Sequence, residues 1–312
     1  MEFLLPASFL SIGLILLVKG ADLFIDNISD LGKKIGLSDM FLGITVVALG
    51  TSIPEVFVSI SSVVNLKPEI AMGNSIGSNI ANLGIVFGFA FFFISKSEIT
   101  LNLRDIFLLF LTTLLAGYVL FDYKISSSDS LLMIGLFILF VLHLMRQKPQ
   151  EELASTISKS TFSLTLFSVV SLILLLIGSE LTVNFGSKLA SLIGISDTIV
   201  GLTMVAIGTS LPELATSFSA LKQKKGNLVI GNIVGSNILN IVLVFPIIGL
   251  SFVKVFEANI LTRDYLMMAI LTAIFITYLS LGTFENLFKR KTAPVMGLLI
   301  LCFTIYYFYQ LF

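Results

Sequence analysis

Apolar runs of roughly 18 to 25 residues recur along the whole chain, each long enough to carry an α-helix across a hydrocarbon core about 30 Å thick. The pattern predicts ten transmembrane helices, near residues 3–24, 39–64, 70–95, 104–122, 129–146, 161–184, 197–221, 228–253, 265–284 and 293–311. In four of these runs the apolar pattern is broken at mid-length by polar residues. Val46 to Glu55 reads Val-Val-Ala-Leu-Gly-Thr-Ser-Ile-Pro-Glu, and Val205 to Glu213 reads Val-Ala-Ile-Gly-Thr-Ser-Leu-Pro-Glu. A carboxylate at that depth is expensive, so two equivalent ones point to a site.

The other two interrupted runs also match. Gly73 to Asn82 reads Gly-Asn-Ser-Ile-Gly-Ser-Asn-Ile-Ala-Asn, and Gly231 to Asn240 reads Gly-Asn-Ile-Val-Gly-Ser-Asn-Ile-Leu-Asn. Residues 20–82 align with 178–240 without a gap, and 27 of the 63 positions are identical, so the chain is an internal duplication. With five helices in each half, an odd number, the second half enters the membrane in the opposite sense to the first, as in many secondary transporters. The polar stretch Arg146 to Ser160 reads as a linker too short for a regulatory domain. The expected division is a first repeat at 1–145, a cytoplasmic linker at 146–160 and a second, inverted repeat at 161–312.

Composition agrees with a membrane setting. Hydrophobic residues make up 56% of the chain and charged residues 12%, with mean hydropathy +1.03, too little polar surface to cover a soluble globule of this size. Thirteen basic residues, among them Lys33, Lys34, Arg146, Lys148, Lys222 and Lys289, fall in one set of alternate loops, and five (Lys67, Lys124, Lys188, Lys254, Arg263) in the other. The positive-inside rule puts the first set in the cytoplasm and both termini outside. Glu2 stands where a signal peptide would be basic, so the first run is read as a retained helix. The single cysteine, Cys302, excludes an intramolecular disulfide and a Cys-rich metal site. Zero net charge gives no support to nucleic-acid binding, and no obligate protein partner is evident.

The repeated tracts carry the chemistry. Proline lacks an amide hydrogen, so Pro54 frees the carbonyl of Gly50 and Pro212 that of Gly208; both helices are expected to break there. Unpaired backbone at membrane depth is tolerated where it lines a cavity or meets a cation. At helical spacing Thr51 and Ser52 share a face with Glu55, Thr209 and Ser210 with Glu213, Ser78 with Asn82 and Ser236 with Asn240. The set is all oxygen, with no thiol or imidazole, and selects hard cations: Na+, Ca2+, Mg2+ or competing H+. Two bidentate glutamates with carbonyls reach the six to eight oxygens Ca2+ takes and neutralise its charge, whereas Mg2+ prefers to keep its waters.

The paired Gly-Thr-Ser-x-Pro-Glu and Gly-Asn-x-x-Gly-Ser-Asn-x-x-Asn tracts resemble the signature repeats of the sodium/calcium exchanger branch of the cation/calcium antiporter superfamily. The resemblance covers essentially the whole chain. It implies an all-α membrane protein of ten helices in two inverted five-helix repeats, with broken second and third helices of each repeat around a central ion site. By the same resemblance Glu55 and Glu213 ligate both Ca2+ and Na+. The Ala48, Thr51, Ala206 and Thr209 carbonyls, the Ser52, Ser78, Ser210 and Ser236 hydroxyls, and Asn82 and Asn240 complete the set. Some members carry an acidic residue at the position of Asn240; here both repeats end in Asn. A site of charge minus two balances one Ca2+, and three Na+ exceed it by one, so two-for-one and three-for-one exchange both fit.

The expected activity is therefore antiport of Na+ against Ca2+ by alternating access, with no cofactor beyond the transported ions. A proton/Ca2+ antiporter is the alternative, since a desolvated glutamate also neutralises by taking a proton. A channel and a membrane-embedded hydrolase rank lower; the only histidine, His143, lies outside the repeats and reads as interfacial. Asn79 and Asn237 read as hydrogen-bonding glue between helices, Asn74 and Asn232 as fillers of helix ends, and Gly77 and Gly235 as close-approach residues. Gly20 and Gly178 are expected to let the first and sixth helices slide. Asp22 and Glu180 read as structural charges pairing with Lys19 and neighbours, and the 28 phenylalanines as lipid-facing bulk.

Overall fold

The computed structural model describes residues 3–93, 103–146, 157–194, 208–251, 256–281 and 293–310. Among these the protein is all helical. Six helices are long and apolar enough to cross a membrane, and a bent pair adds a seventh crossing. The first, α1 (Leu4–Ile35), has 32 residues and spans about 48 Å, well beyond the hydrocarbon core. The expected end at residue 24 is corrected. Asp22, Asp26, Asp30, Lys33 and Lys34 end the apolar run but not the helix, because leaving the hydrocarbon does not interrupt backbone hydrogen bonding. The stop comes at Gly36, in the left-handed region at φ 75°.

The next run is broken as its proline predicts. The segments α2 (Asp39–Thr51) and α3 (Ile53–Val64) meet at a 40° bend. Ser38 starts α2 by accepting a hydrogen bond from the Phe41 amide, and a π turn, Gly43–Val47, lies within it. Helix α4 (Pro68–Ala81) opens on a proline and continues through a second π turn, Asn82–Val86, into one further turn, Phe87–Ala90. Two lipid-crossing helices follow, α5 (Leu103–Leu120) and α6 (Ser127–Met145), the latter opened by a capping box between Ser126 and Asp129.

Helix α7 (Thr161–Leu192) again has 32 residues. The predicted seventh span, 197–221, is described only from Gly208 onward, where α8 (Leu211–Lys222) begins beside its proline. Then come α9 (Gly226–Val242), α10 (Val244–Gly249), α11 (Leu266–Leu281) with a π turn at Ile260–Tyr265 leading into it, and α12 (Ala293–Tyr309).

The duplication is visible in backbone angles at positions 158 residues apart. Ser52 and Ser210 have φ, ψ of −83°, 4° and −85°, 1°; Leu66 and Lys224 both have φ 58°; Gly36 and Gly194 have φ 75° and 88°. Helix α1 lies against α7 along its length, and each carries a glycine where the backbone of the other comes closest. A Cβ on Gly20 would fall 2.6 Å from the Leu175 nitrogen, and one on Gly178 would fall 2.3 Å from that of Leu17. Phe9 and Phe185 stack across the same pair at 4.7 Å.

The centre of the molecule is α9, which is almost entirely buried between α2, α4, α5, α8 and the start of α6. Gly43 and Gly231 meet back to back there: a Cβ on either would lie within 2.5 Å of a carbonyl of the other segment. The outer faces of α1, α5, α6 and α7 expose Leu4, Ile15, Phe107, Phe110, Leu131, Ile138 and Phe162, as lipid contact requires. The phenylalanines are not all lipid-facing: Phe24, Phe87, Phe245 and Phe275 are fully buried, and Phe87 and Phe275 pack edge to face at 4.7 Å. His143, in the last turn of α6, lies 2.6 Å from the buried carboxylate of Asp105 in the first turn of α5.

Candidate ion-binding site

Eleven of the twelve candidate ligating residues are described, and all eleven are at most 8% exposed; Ala206 lies outside the described residues. The two breaks bring them together. Glu55 and Glu213 each occupy the third position of a helix that starts immediately after its break, so each carboxylate stands in the first turn, at the positive end of the helix dipole. Ser52 and Ser210 hold the cap positions, yet neither side chain caps its own helix.

Ser52 Oγ instead donates to Glu213 Oε1 of the other half at 3.2 Å. The arrangement is reciprocal: Thr51 and Ser52 adjoin the Glu213 carboxylate, while Thr209 and Ser78 adjoin that of Glu55. The side-chain partner of Thr51 and Ser52 is thus the glutamate of the other half. The helix is interrupted between Thr51 and Glu55, at Ser52 with ψ 4°. Ser78 and Thr209 hydroxyls are 3.4 Å apart, and Thr209 Oγ1 donates to Asn74 Oδ1 at 3.0 Å.

Backbone oxygens take part as well. The Ala48 carbonyl accepts from the Ser52 amide at 3.0 Å and, at a longer 3.5 Å, from Thr51 Oγ1. Gly208 O, freed by Pro212, is taken up by Ser179 Oγ at 3.3 Å. The equivalent residue in the first half is Ala21, which has no hydroxyl to offer the freed Gly50 carbonyl.

A second layer ties α4 to α9. Ser75 Oγ donates to Asn240 O at 2.6 Å, Asn79 Nδ2 to Asn237 O at 3.1 Å, and Asn240 Nδ2 to Asn79 Oδ1 at 3.1 Å. Asn79 is thus interhelical glue, as its position suggests. Asn74 proves to be more than a helix-end filler, since it meets both Thr209 and, through Nδ2, the Glu55 carbonyl at 3.4 Å. Its recurrence as Asn232 in the second tract was the available signal. Asn232 in turn donates to Ser217 Oγ at 3.2 Å and stands 3.5 Å from Ser236 Oγ. Ser75 carries no such signal, because its counterpart is Ile233.

The buried polar atoms left without a hydrogen-bond partner concentrate here. Six are oxygens of candidate ligands: both of Glu55, Glu213 Oε2, Ser210 Oγ, Asn82 Oδ1 and Asn240 Oδ1. An unsatisfied buried polar group costs about 1–3 kcal/mol, and more if charged. A set of oxygens rich in negative charge and poor in donors is completed by a cation, and it contains no group that would prefer a soft metal. Asp22 lies apart from it, paired with Lys222 at 3.6 Å rather than with Lys19.

Comparison with known proteins agrees with this chemistry. The sodium/calcium exchanger protein family profile matches residues 5–146 and 163–312. The sodium/calcium exchanger MaX1 of Methanosarcina acetivorans is 31% identical, over 96% of this chain and 97% of its own. Inner membrane protein YrbG of Escherichia coli is 32% identical, over 87% and 88%. A solved structure of a sodium/calcium exchanger from Methanococcus jannaschii superposes with a TM-score of 0.81 at 28% identity, covering 97% of each chain.

Proposed function

The chain belongs to the sodium/calcium exchanger family, a family of cation/calcium antiporters and not of enzymes, and on that premise we propose that it exchanges Na+ for Ca2+ by alternating access. The observation that carries this reading is the pair of broken helices whose carboxylates, Glu55 and Glu213, are fully buried with most of their oxygens unpartnered. An empty site with two uncompensated charges is costly to occlude, whereas one filled by Ca2+ or Na+ is not, and that difference couples the two fluxes.

In this reading the ligands are Glu55, Glu213, Ser52, Ser78, Ser210, Ser236, Asn82, Asn240 and the Ala48, Thr51, Ala206 and Thr209 carbonyls. The frame is ten helices in two inverted five-helix repeats, 1–145 and 161–312, joined by a cytoplasmic linker at 146–160. Support comes from the gapless duplication, the matching backbone angles 158 residues apart and the glycines Gly20 and Gly178 at the close contact of α1 and α7, where the two repeats slide. The excess of basic residues in one set of loops supports an orientation with both termini outside.

Glu55→Gln and Glu213→Gln in proteoliposomes test the assignment. Each should abolish Na+-dependent uptake of radiolabelled Ca2+ while the protein still elutes as a folded species. Normal uptake in either variant removes that residue from the site.

A further inference from the structure

The asparagine layer behind the carboxylates is closed on one side and open on the other. Asn79 is fully engaged: its Oδ1 accepts from Asn240 Nδ2, and its Nδ2 donates to Asn237 O and lies 3.4 Å from the Met268 sulfur. At an offset of 158 residues Asn79 corresponds to Asn237 and Asn240 to Asn82, so the mirror arrangement would have Asn82 Nδ2 donating to Asn237 Oδ1 and Asn237 Nδ2 donating to Asn79 O. None of it is made. Both amide atoms of Asn237 and both of Asn82 are without partners, although each residue is 1% exposed.

The backbone differs at the same two places. Asn82 opens a π turn, Asn82–Val86, whereas Asn240 lies inside regular α-helix that ends at Leu243 with φ −94° and ψ −42°. A π turn adds a residue to a helical turn and swings the side chains that follow, so the clamp that is open coincides with the helix that is locally rewound. Two orphaned carboxamides, four polar atoms in a dry interior, are costly, and a sequence that retains them in one conformation has a use for them in another.

We propose that Asn79 and Asn237 are positioning residues that work in alternation. Asn79 holds the Asn240 carboxamide in the state seen here, and Asn237 holds that of Asn82 in the state open to the opposite face. This rests on the alternating-access reading above. In an inverted repeat the two halves exchange local conformations between the two states, so a contact made in one half alone marks which state is occupied. The clamp also decides which asparagine presents an oxygen. With Nδ2 committed to Asn79, Asn240 keeps Oδ1 as its only free polar atom, aimed away from the clamp and available to a cation. Asn82 acquires the same constraint when Asn237 engages it.

The test is Asn79→Ala against Asn237→Ala, with the apparent KM for Ca2+ measured separately at each face in right-side-out and inside-out vesicles. Losing one clamp removes two neutral hydrogen bonds from one state only, a shift of about thirtyfold in the equilibrium between states. Asn79→Ala should raise KM at one face and lower it at the other, Asn237→Ala should do the reverse, and the double variant should return toward the wild-type ratio. Changes of the same sign at both faces, or no effect of Asn237→Ala, would overturn the proposal and leave Asn79 as static packing. If the alanine variants do not assemble, Asn79→Gln and Asn237→Gln carry the same test, since a displaced amide also breaks the clamp. Wild-type vesicles without Na+-dependent Ca2+ flux would instead refute the exchange reading itself, a distinct outcome.

Discussion

Ser52 shows what a single backbone angle does at this site. With ψ near 4° it leaves the helical track, and its hydroxyl, free of any capping duty, reaches Glu213 of the other half. A hydrogen bond to a buried carboxylate is worth more than one between neutral groups, so Ser52→Ala should weaken apparent Ca2+ affinity about tenfold, measured as KM for uptake. Thr209→Val should do likewise from the other side, since its hydroxyl sits by Glu55 and joins it to Asn74. The residue types were legible before the fold, because an acid, two hydroxyls and a proline at membrane depth have few structural explanations. Their partners were not. Spacing arguments assume a continuous helix, and the proline that identifies the site is the residue that invalidates the assumption.

At the scale of elements, close approach of backbones sets the architecture. Gly43 and Gly231 bring α2 against α9, and a Cβ at Gly43 would lie 2.4 Å from Leu228 O, a backbone atom that cannot step aside. Gly43→Ala should therefore destabilise by about 1–3 kcal/mol, seen as a lower melting temperature in detergent. Gly135→Ala is the control: it lies on the exposed face of α6 with nothing within 4 Å, and the change should be neutral or stabilising by up to about 1 kcal/mol. Hydropathy located these helices well where lipid surrounds them, as at α5 and α6, whose observed ends lie within two residues of the expected ones. It failed at the end of α1, where the helix runs on past the apolar run with Asp22 and Asp30 paired to Lys222 and Lys159. The π turns at Gly43–Val47 and Asn82–Val86 had no sequence signal, because they arise from packing rather than from any residue's preference.

For the whole molecule, the duplication matters more than any single helix. It places one carboxylate per half at a shared centre, and it makes the asymmetry between equivalent positions informative: Asn79 and Asn237 are the same residue type, yet only the Asn79 side chain is engaged. The absence of a third acid, with Asn82 and Asn240 closing the two tracts, fixes the charge of the two shared tracts at minus two and makes the ion count a question of current. Three Na+ per Ca2+ would move net charge, and two would not.

The most direct measurement is Ca2+ accumulation in proteoliposomes loaded with Na+ and diluted into Na+-free medium, with pH gradient and membrane potential clamped independently. The account predicts uptake that requires internal Na+, collapses with a Na+ ionophore, and disappears in Glu55→Gln. Uptake that persists without Na+ and follows an imposed pH gradient would contradict it.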